Sequence, residues 1–182
     1  MKVKQGIIEK AVRDILWAIG EDPDREGLVG TPGRVARFWA EFIDYNPGTV
    51  DRTFEVVETD QMVVVAGMKV WSLCEHHLLP FWCDVSVGYI ARDRVLGLSK
   101  FARIAKKYAH GLQLQERLVH QIADDVQAVT GSDDVAVYGI GQHLCMVMRG
   151  VETPAHMKTG VMRGVFLEKP EARAEFMAQV GQ

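Results

Sequence analysis

The sequence predicts an α+β fold built on an antiparallel sheet, with a helical segment ahead of it. Apolar residues recur at helical spacing through roughly the first forty-five positions. From residue 54 the period changes to short β-rich stretches divided by turn residues. Two amphipathic helices then interrupt the β-rich region together, and this segregation of helices from strands, rather than their alternation, favours α+β over a parallel α/β sheet. The 182 residues are 48% apolar and 25% charged, enough for one ordinary core. We expect residues 1–50 to form the N-terminal helical segment and 51–182 the sheet domain, as one structural unit overall.

Each element has a local cause. Ile7, Ile8, Ala11, Val12, Ile15, Leu16 and Ile19 form one helical stripe, and Gly20 with Asp22 and Pro23 stops it. "TPGRVARFWAEFI" starts a second helix, with Thr31 as N-cap and Pro32 at the first helical position, where a missing N–H costs nothing; "YNPGTV" breaks it. "FEVVE", "MVVVAG", "VSVGYI", "VAVYGIG", "CMVMRG" and "VMRGVFL" read as strands. "SKFARIAKKYA" and "QERLVHQIADDVQAVT" read as the helix pair and "PEARAEFMAQV" as a last helix.

Composition narrows the function. A formal charge of −3 and a pI near 6.1 supply no field for nucleic acid, and no basic run with interleaved aromatics supplies a local one. Glu9, Lys10, Arg13 and Asp14 interrupt the N-terminal apolar residues, so a signal peptide is not expected there, and no apolar run reaches membrane-spanning length. A cytoplasmic location without membrane association is expected. Three scattered cysteines do not form a secreted disulfide framework and leave thiolates for metal or catalysis.

The chemistry concentrates in "SLCEHHLLPF", residues 72–81. A tight turn brings side chains at i and i+3 together, so the C-x-x-H spacing selects Cys74 and His77 as metal ligands and leaves His76 for other work. Far along the chain, "GQHLCMVMRG" pairs a histidine with a cysteine again. On a strand, His143 and Cys145 would share a face. Cys74, His77 and Cys145 then make a Cys₂His set with a fourth position open, as in catalytic zinc sites; Zn²⁺ suits these donors, with Fe²⁺ the alternative. Glu75 is a harder and less favoured ligand, and Cys83, following two aromatics, reads as a packing thiol.

"SLCEHHLLPF", "VLGLSKFARI", "LQLQERL" and "HLCMVMRG" resemble, in order and approximate spacing, the core motifs of GTP cyclohydrolase I, and "EDPDREGLVGTPGRVARFW" is similar to that family's N-terminal helical segment. The resemblance spans roughly residues 7–180. It implies a T-fold catalytic domain over 51–182, assembled into a homodecamer of two pentamers with active sites at subunit interfaces. It implies zinc on Cys74, His77 and Cys145, and GTP opened at C8 of its imidazole ring, with formate released and reclosure to 7,8-dihydroneopterin triphosphate in pterin and folate biosynthesis.

Carried over residue by residue, the resemblance makes His76 and His143 the catalytic histidines. An imidazole suits proton transfer because its pKa lies near the operating pH. Glu116 becomes the guanine reader, assisted by Gln115, since a carboxylate accepts from adjacent N–H donors. Ser99, Lys100 and Arg103 line the phosphate and ribose side, Ser99 within the catalytic set. Arg149 is a further phosphate-binding arginine, and Arg34 one supplied by a neighbouring subunit. The segment "VETPAHMKTGVMRGVF" departs from the family's threonine- and serine-rich pattern, with Pro154, His156, Lys158 and Arg163 unusual there. Two other classes are a structural zinc protein, with His143 as fourth ligand, and a nucleobase deaminase, for which the H-x-E and P-C-x-x-C pair is missing. A product-binding relative without turnover is a third.

Overall fold

A computed structural model describes residues 2–55 and 60–180. The chain divides into two compact units, Met1–Asn46 and Pro47–Gln182. In the first, α1 (Gln5–Ala18) packs on α2 (Thr31–Ile43), burying Leu16, Pro32 and Ala36. Gly20, at φ +86°, turns the chain after α1 as the sequence anticipates. The N-cap of α2 is Gly30 rather than Thr31. The Thr31 side chain is already helical and accepts from Arg34 Nη2 at 2.8 Å, so it is spent on a neighbour instead of the helix end.

The second unit is a curled sheet. Its strands are β1 (Thr53–Glu55), β2 (Gln61–Cys74), β3 (Pro80–Ala91), β4 (Arg94–Leu96), β5 (Leu112–Gln113), β6 (Val135–His143) and β7 (Met157–Met162). Strands β2, β3, β6 and β7 are antiparallel neighbours; β5 adds a two-residue parallel edge to β2, and β1 pairs separately with β4. The expected antiparallel sheet is therefore mixed at one edge. The last residues of "FEVVE" lie outside the described residues.

The helix pair is α3 (Leu98–Ala109) and α4 (Gln115–Thr130), packed on one face of the sheet. Alternation along the strands supplies that face. Phe81, Cys83, Val85, Val87 and Tyr89 of β3 and Val135 and Val137 of β6 meet Phe101, Ile104, Leu118, Ile122 and Val126 of the helices. The intervening residues Met62, Val64, Ile90, Ala136 and Tyr138 face a smaller cluster with Phe166 and Phe176, from α6 (Val165–Glu168) and α7 (Pro170–Val180). "VMRGVFL" is thus half strand and half helix. A bulge between Val65 and Met68 changes the alternation of β2: Gly67 takes φ +69° and its N–H donates to Ser86 Oγ at 3.1 Å. Among the described residues no helix is long and apolar enough to cross a membrane.

Candidate metal centre and its surroundings

β2 ends at Cys74, where the chain reverses into β3 through a turn closed by backbone bonds. The Cys74 carbonyl accepts from His77 N at 3.3 Å and from Leu78 N at 2.8 Å, while Cys74 N–H donates to Leu79 O at 2.8 Å. Leu78 adopts φ +57°, the left-handed step that completes the reversal. This turn does what the C-x-x-H spacing requires, placing Cys74 Sγ 3.8 Å from His77 Nδ1. Tetrahedral ligands at zinc bonding distances lie about 3.5–3.8 Å apart, so the pair needs little movement to share an ion.

Cys145 completes the cluster by a route the spacing did not foresee. β6 ends at His143, and Leu144–Val147 form a short helix, α5, where a strand was expected; the shared strand face proposed for His143 and Cys145 does not exist. The helical turn nevertheless brings the Cys145 thiol inward. The ligand atoms of Cys74, His77 and Cys145 all lie within 4.8 Å of one another. Burial, and then the adjacent Cys74, pushes the Cys145 thiol above its usual range, with Arg149 working against them. A cation shared by the cluster would offset that penalty on Cys145, and this donor set of two thiols and an imidazole fits zinc. Cys83, wholly buried under the helix pair, is pushed up to about 12 by burial and by the nearby Asp84 carboxylate. It remains a neutral packing thiol, as expected.

Glu75 is excluded from the cluster by a partner. Its carboxylate pairs with Arg117, whose Nε also donates to Gln113 Oε1 at 2.6 Å and whose Nη2 donates to Leu112 O at 3.2 Å. Arg117 therefore ties the metal-binding turn to β5 and to the first turn of α4. His76 is exposed, its ring nearly perpendicular to that of His77 at 6.1 Å between centroids. The two neighbours face different ways, and His77 alone joins the thiols.

His143 is held on two sides. Its ring stacks on Phe81 at 4.4 Å and 7°, a contact set by the Phe81–His143 register of β3 and β6. Its Nε2 lies 3.1 Å from Gln115 Oε1. The Gln115 side chain is fully buried, and its amide nitrogen faces Gly139 O at 3.2 Å, Met157 O at 3.0 Å and Thr159 Oγ1 at 3.1 Å. Carbonyls only accept, so this end of the amide is the donor and the other end must accept; in the neutral ring the His143 proton sits on Nε2 and Nδ1 is free. Burial holds the His143 imidazole below its usual pKa, partly offset by the Glu116 carboxylate.

Glu116 is exposed on the first turn of α4. Ser99, Lys100 and Arg103 lie on α3; Ser99 and Arg103 are exposed and Lys100 is buried. Arg149 is exposed just past α5. Arg34 belongs to the N-terminal unit, where Thr31 Oγ1 and, at 3.5 Å, Gly27 O hold its guanidinium. Sequence reasoning missed Arg117 and Phe81, whose roles depend on a bridge between remote segments and on a strand register. In the unusual late segment, Arg163 donates to Gln127 Oε1 at 2.7 Å and Asp124 Oδ1 at 2.6 Å, and His156 lies edge-on to Trp82.

Comparison with known proteins gives this cluster a context. The family model of GTP cyclohydrolase I matches residues 8–181. GTP cyclohydrolase 1 of Hyperthermus butylicus is 49% identical over 166 residues, covering 91% of this chain and 86% of that protein. The corresponding protein of Deinococcus radiodurans is 46% identical over 178 residues, covering 95% and 82%. That of Alkalilimnicola ehrlichii is 47% identical over 175 residues, covering 93% and 95%. A solved structure of an archaeosine synthase QueF-Like protein aligns with 57% of this chain and 95% of its own, at 18% identity and a TM-score of 0.44. With a match across nearly its whole length, the chain belongs to the GTP cyclohydrolase I family.

Proposed function

We propose that Cys74, His77 and Cys145 hold one zinc ion with a coordination position left open, and that His76 and His143 carry the proton transfers of GTP cyclohydrolase I turnover. Membership of the family gives the activity itself. In the implied reaction water opens the guanine imidazole ring at C8, that carbon leaves as formate, and the rearranged ribose recloses to 7,8-dihydroneopterin triphosphate. A zinc ion held by these residues would supply the Lewis acidity that makes water a nucleophile at neutral pH. The observation that carries the reading is the separation of roles: three ligand atoms cluster, while His143 is occupied by Gln115 and Phe81 and does not close the site.

With its proton on Nε2, His143 presents Nδ1 as the group that takes up a proton and passes it to the ring nitrogen as the ring opens. His76 serves proton transfer in hydrolysis and reclosure, and Ser99 contacts the ribose side. Glu116 accepts hydrogen bonds from guanine. Lys100, Arg103, Arg149 and a neighbouring subunit's copy of Arg34 bind the triphosphate. The assembly is a cytoplasmic homodecamer. Supporting association, Leu98 and Leu167 are exposed and β7 ends the sheet without a further strand among the described residues.

Purified zinc-loaded protein is expected to convert GTP to formate and a pterin that fluoresces after oxidation; absence of both products would overturn the assignment. His143→Ala should keep one zinc per chain and lose turnover. Loss of zinc from that variant would instead mean a closed four-ligand site.

A further inference from the structure

Among the described residues the buried cation Lys100 has no acidic partner. It is 8% exposed, yet its ammonium is held by neutral oxygens, Thr49 O at 2.9 Å and Thr49 Oγ1 at 3.1 Å. Arg103, one helical turn further along α3, is held likewise: its Nη1 donates to Pro47 O at 2.8 Å. Among the described residues neither side chain takes part in an ion pair. Removing an ammonium from water without a counter-charge is unfavourable unless an anion arrives to balance it.

The oxygens come from one short strap, residues 47–49, which is itself fixed. Val50 packs against the main core, the Arg52 carbonyl accepts from Gly97 N at 3.1 Å, and Thr53 opposite Leu96 begins the β1–β4 pairing. Gly48, at φ +67°, lets the backbone pass so close to Arg103 that a Cβ there would collide with its Nη1. An ammonium has three N–H donors. Thr49 occupies two of them and leaves the third for a ligand.

We infer that the strap Pro47–Thr49 positions the triphosphate clamp, with Thr49 orienting Lys100 and the Pro47 carbonyl orienting Arg103 before substrate arrives. This rests on the reading of Lys100 and Arg103 as phosphate ligands. The strap adds no charge to the site; it holds two flexible cations in place so that less rotamer freedom is lost when the anion binds. Thr49 is a positioning residue and touches no reacting atom.

The test uses the zinc-loaded full chain, with zinc content and circular dichroism matched across variants. Thr49→Val removes the hydroxyl at nearly constant volume. We expect it to raise KM for GTP by roughly ten- to a hundredfold, the loss of one hydrogen bond to a charged group, with kcat within about twofold. Competitive inhibition by inorganic tripolyphosphate should weaken by the same factor while guanosine binding stays constant, and Thr49→Ser should restore both. Gly48→Ala should weaken tripolyphosphate in the same way through Arg103. Lys100→Met separates the two levels. If Lys100→Met weakens tripolyphosphate but Thr49→Val and Gly48→Ala do not, the strap inference is overturned and the phosphate reading stands. If Lys100→Met also leaves tripolyphosphate unchanged, the phosphate reading falls and takes the inference with it.

Discussion

Replacing Gln115 by leucine separates a residue that reads substrate from one that orients a catalytic group. Leucine keeps most of the volume in a site with no solvent exposure, but abolishes the contacts to Gly139 O, Met157 O, Thr159 Oγ1 and His143 Nε2. At about 1 kcal/mol net for each hydrogen bond lost, the variant should be destabilised by about 2–4 kcal/mol. For a chain of this length that is a fall in Tm of roughly 5–15 °C, measurable by calorimetry. The catalytic consequence is larger in proportion. His143 loses the acceptor that fixes its proton on Nε2, and a misdirected general acid–base group costs about a hundredfold in kcat. Formate release and pterin fluorescence, measured well below the lowered Tm, should show kcat reduced on that scale and KM within about threefold. Gln115→Glu retains an acceptor for His143 while losing the donor end, so its kcat should lie between those of Gln115→Leu and the wild type. A large rise in KM with kcat unchanged would refute the reasoning and make Gln115 a guanine contact instead.

Arg117→Met removes the bridge from Glu75 to Gln113 and Leu112 O, so zinc affinity should fall by about ten- to a hundredfold in a competitive chelator titration, with all three ligands intact. Cys83→Ala should retain one zinc and full turnover, and the native Cys83 thiol, neutral at pH 7, should resist alkylation in the folded protein. Gly164→Ala should destabilise the chain by about 1–3 kcal/mol in denaturant titrations, because Gly164 sits at φ +54° and a Cβ would run into Asp134. Burial raises the pKa of the Asp134 carboxyl, but the Val165 N–H and Arg92 outweigh it and hold it below its usual value. Its stabilisation is therefore present above about pH 4 and lost as the pH falls through the lower folded value, so the stability gap between wild type and Asp134→Asn should narrow in acid.

The parts of this molecule that were legible in its sequence are those with local causes. α1 to α4 follow apolar periodicity, and Cys74 and His77 meet because a four-residue turn brings i and i+3 together. Cys145 does join Cys74 and His77 in one cluster, but not by the shared strand face that the spacing suggested. Its β-prone neighbours suggested a strand, but the sheet stops where Phe81 pairs with His143, and beyond that pairing the chain coils into α5. Gln115 carried the opposite difficulty: the resemblance makes it an assistant to Glu116 at the guanine, and nothing local in the sequence shows that the approach of β6 and β7 buries its side chain. The Thr49–Lys100 contact spans 51 positions, and no periodicity encodes it.

The glycine bulge in β2 sets which side of the sheet the metal can occupy. Val63 and Val65 face the helix pair; in an unbroken strand the same side would next show residues 67, 69, 71 and 73, leaving Cys74 on the far side. The extra residue between Val65 and Met68 advances the phase by one, so that Met68, Val70 and Cys74 take the helix-facing side. Gly67 is therefore a phase shifter for a ligand seven positions downstream. Deleting Ala66 or Gly67 would preserve Cys74, His77 and Cys145 and the spacing within the C-x-x-H turn, yet turn the Cys74 thiol away from Cys145; the cluster would be lost by a change of parity, with its chemistry untouched.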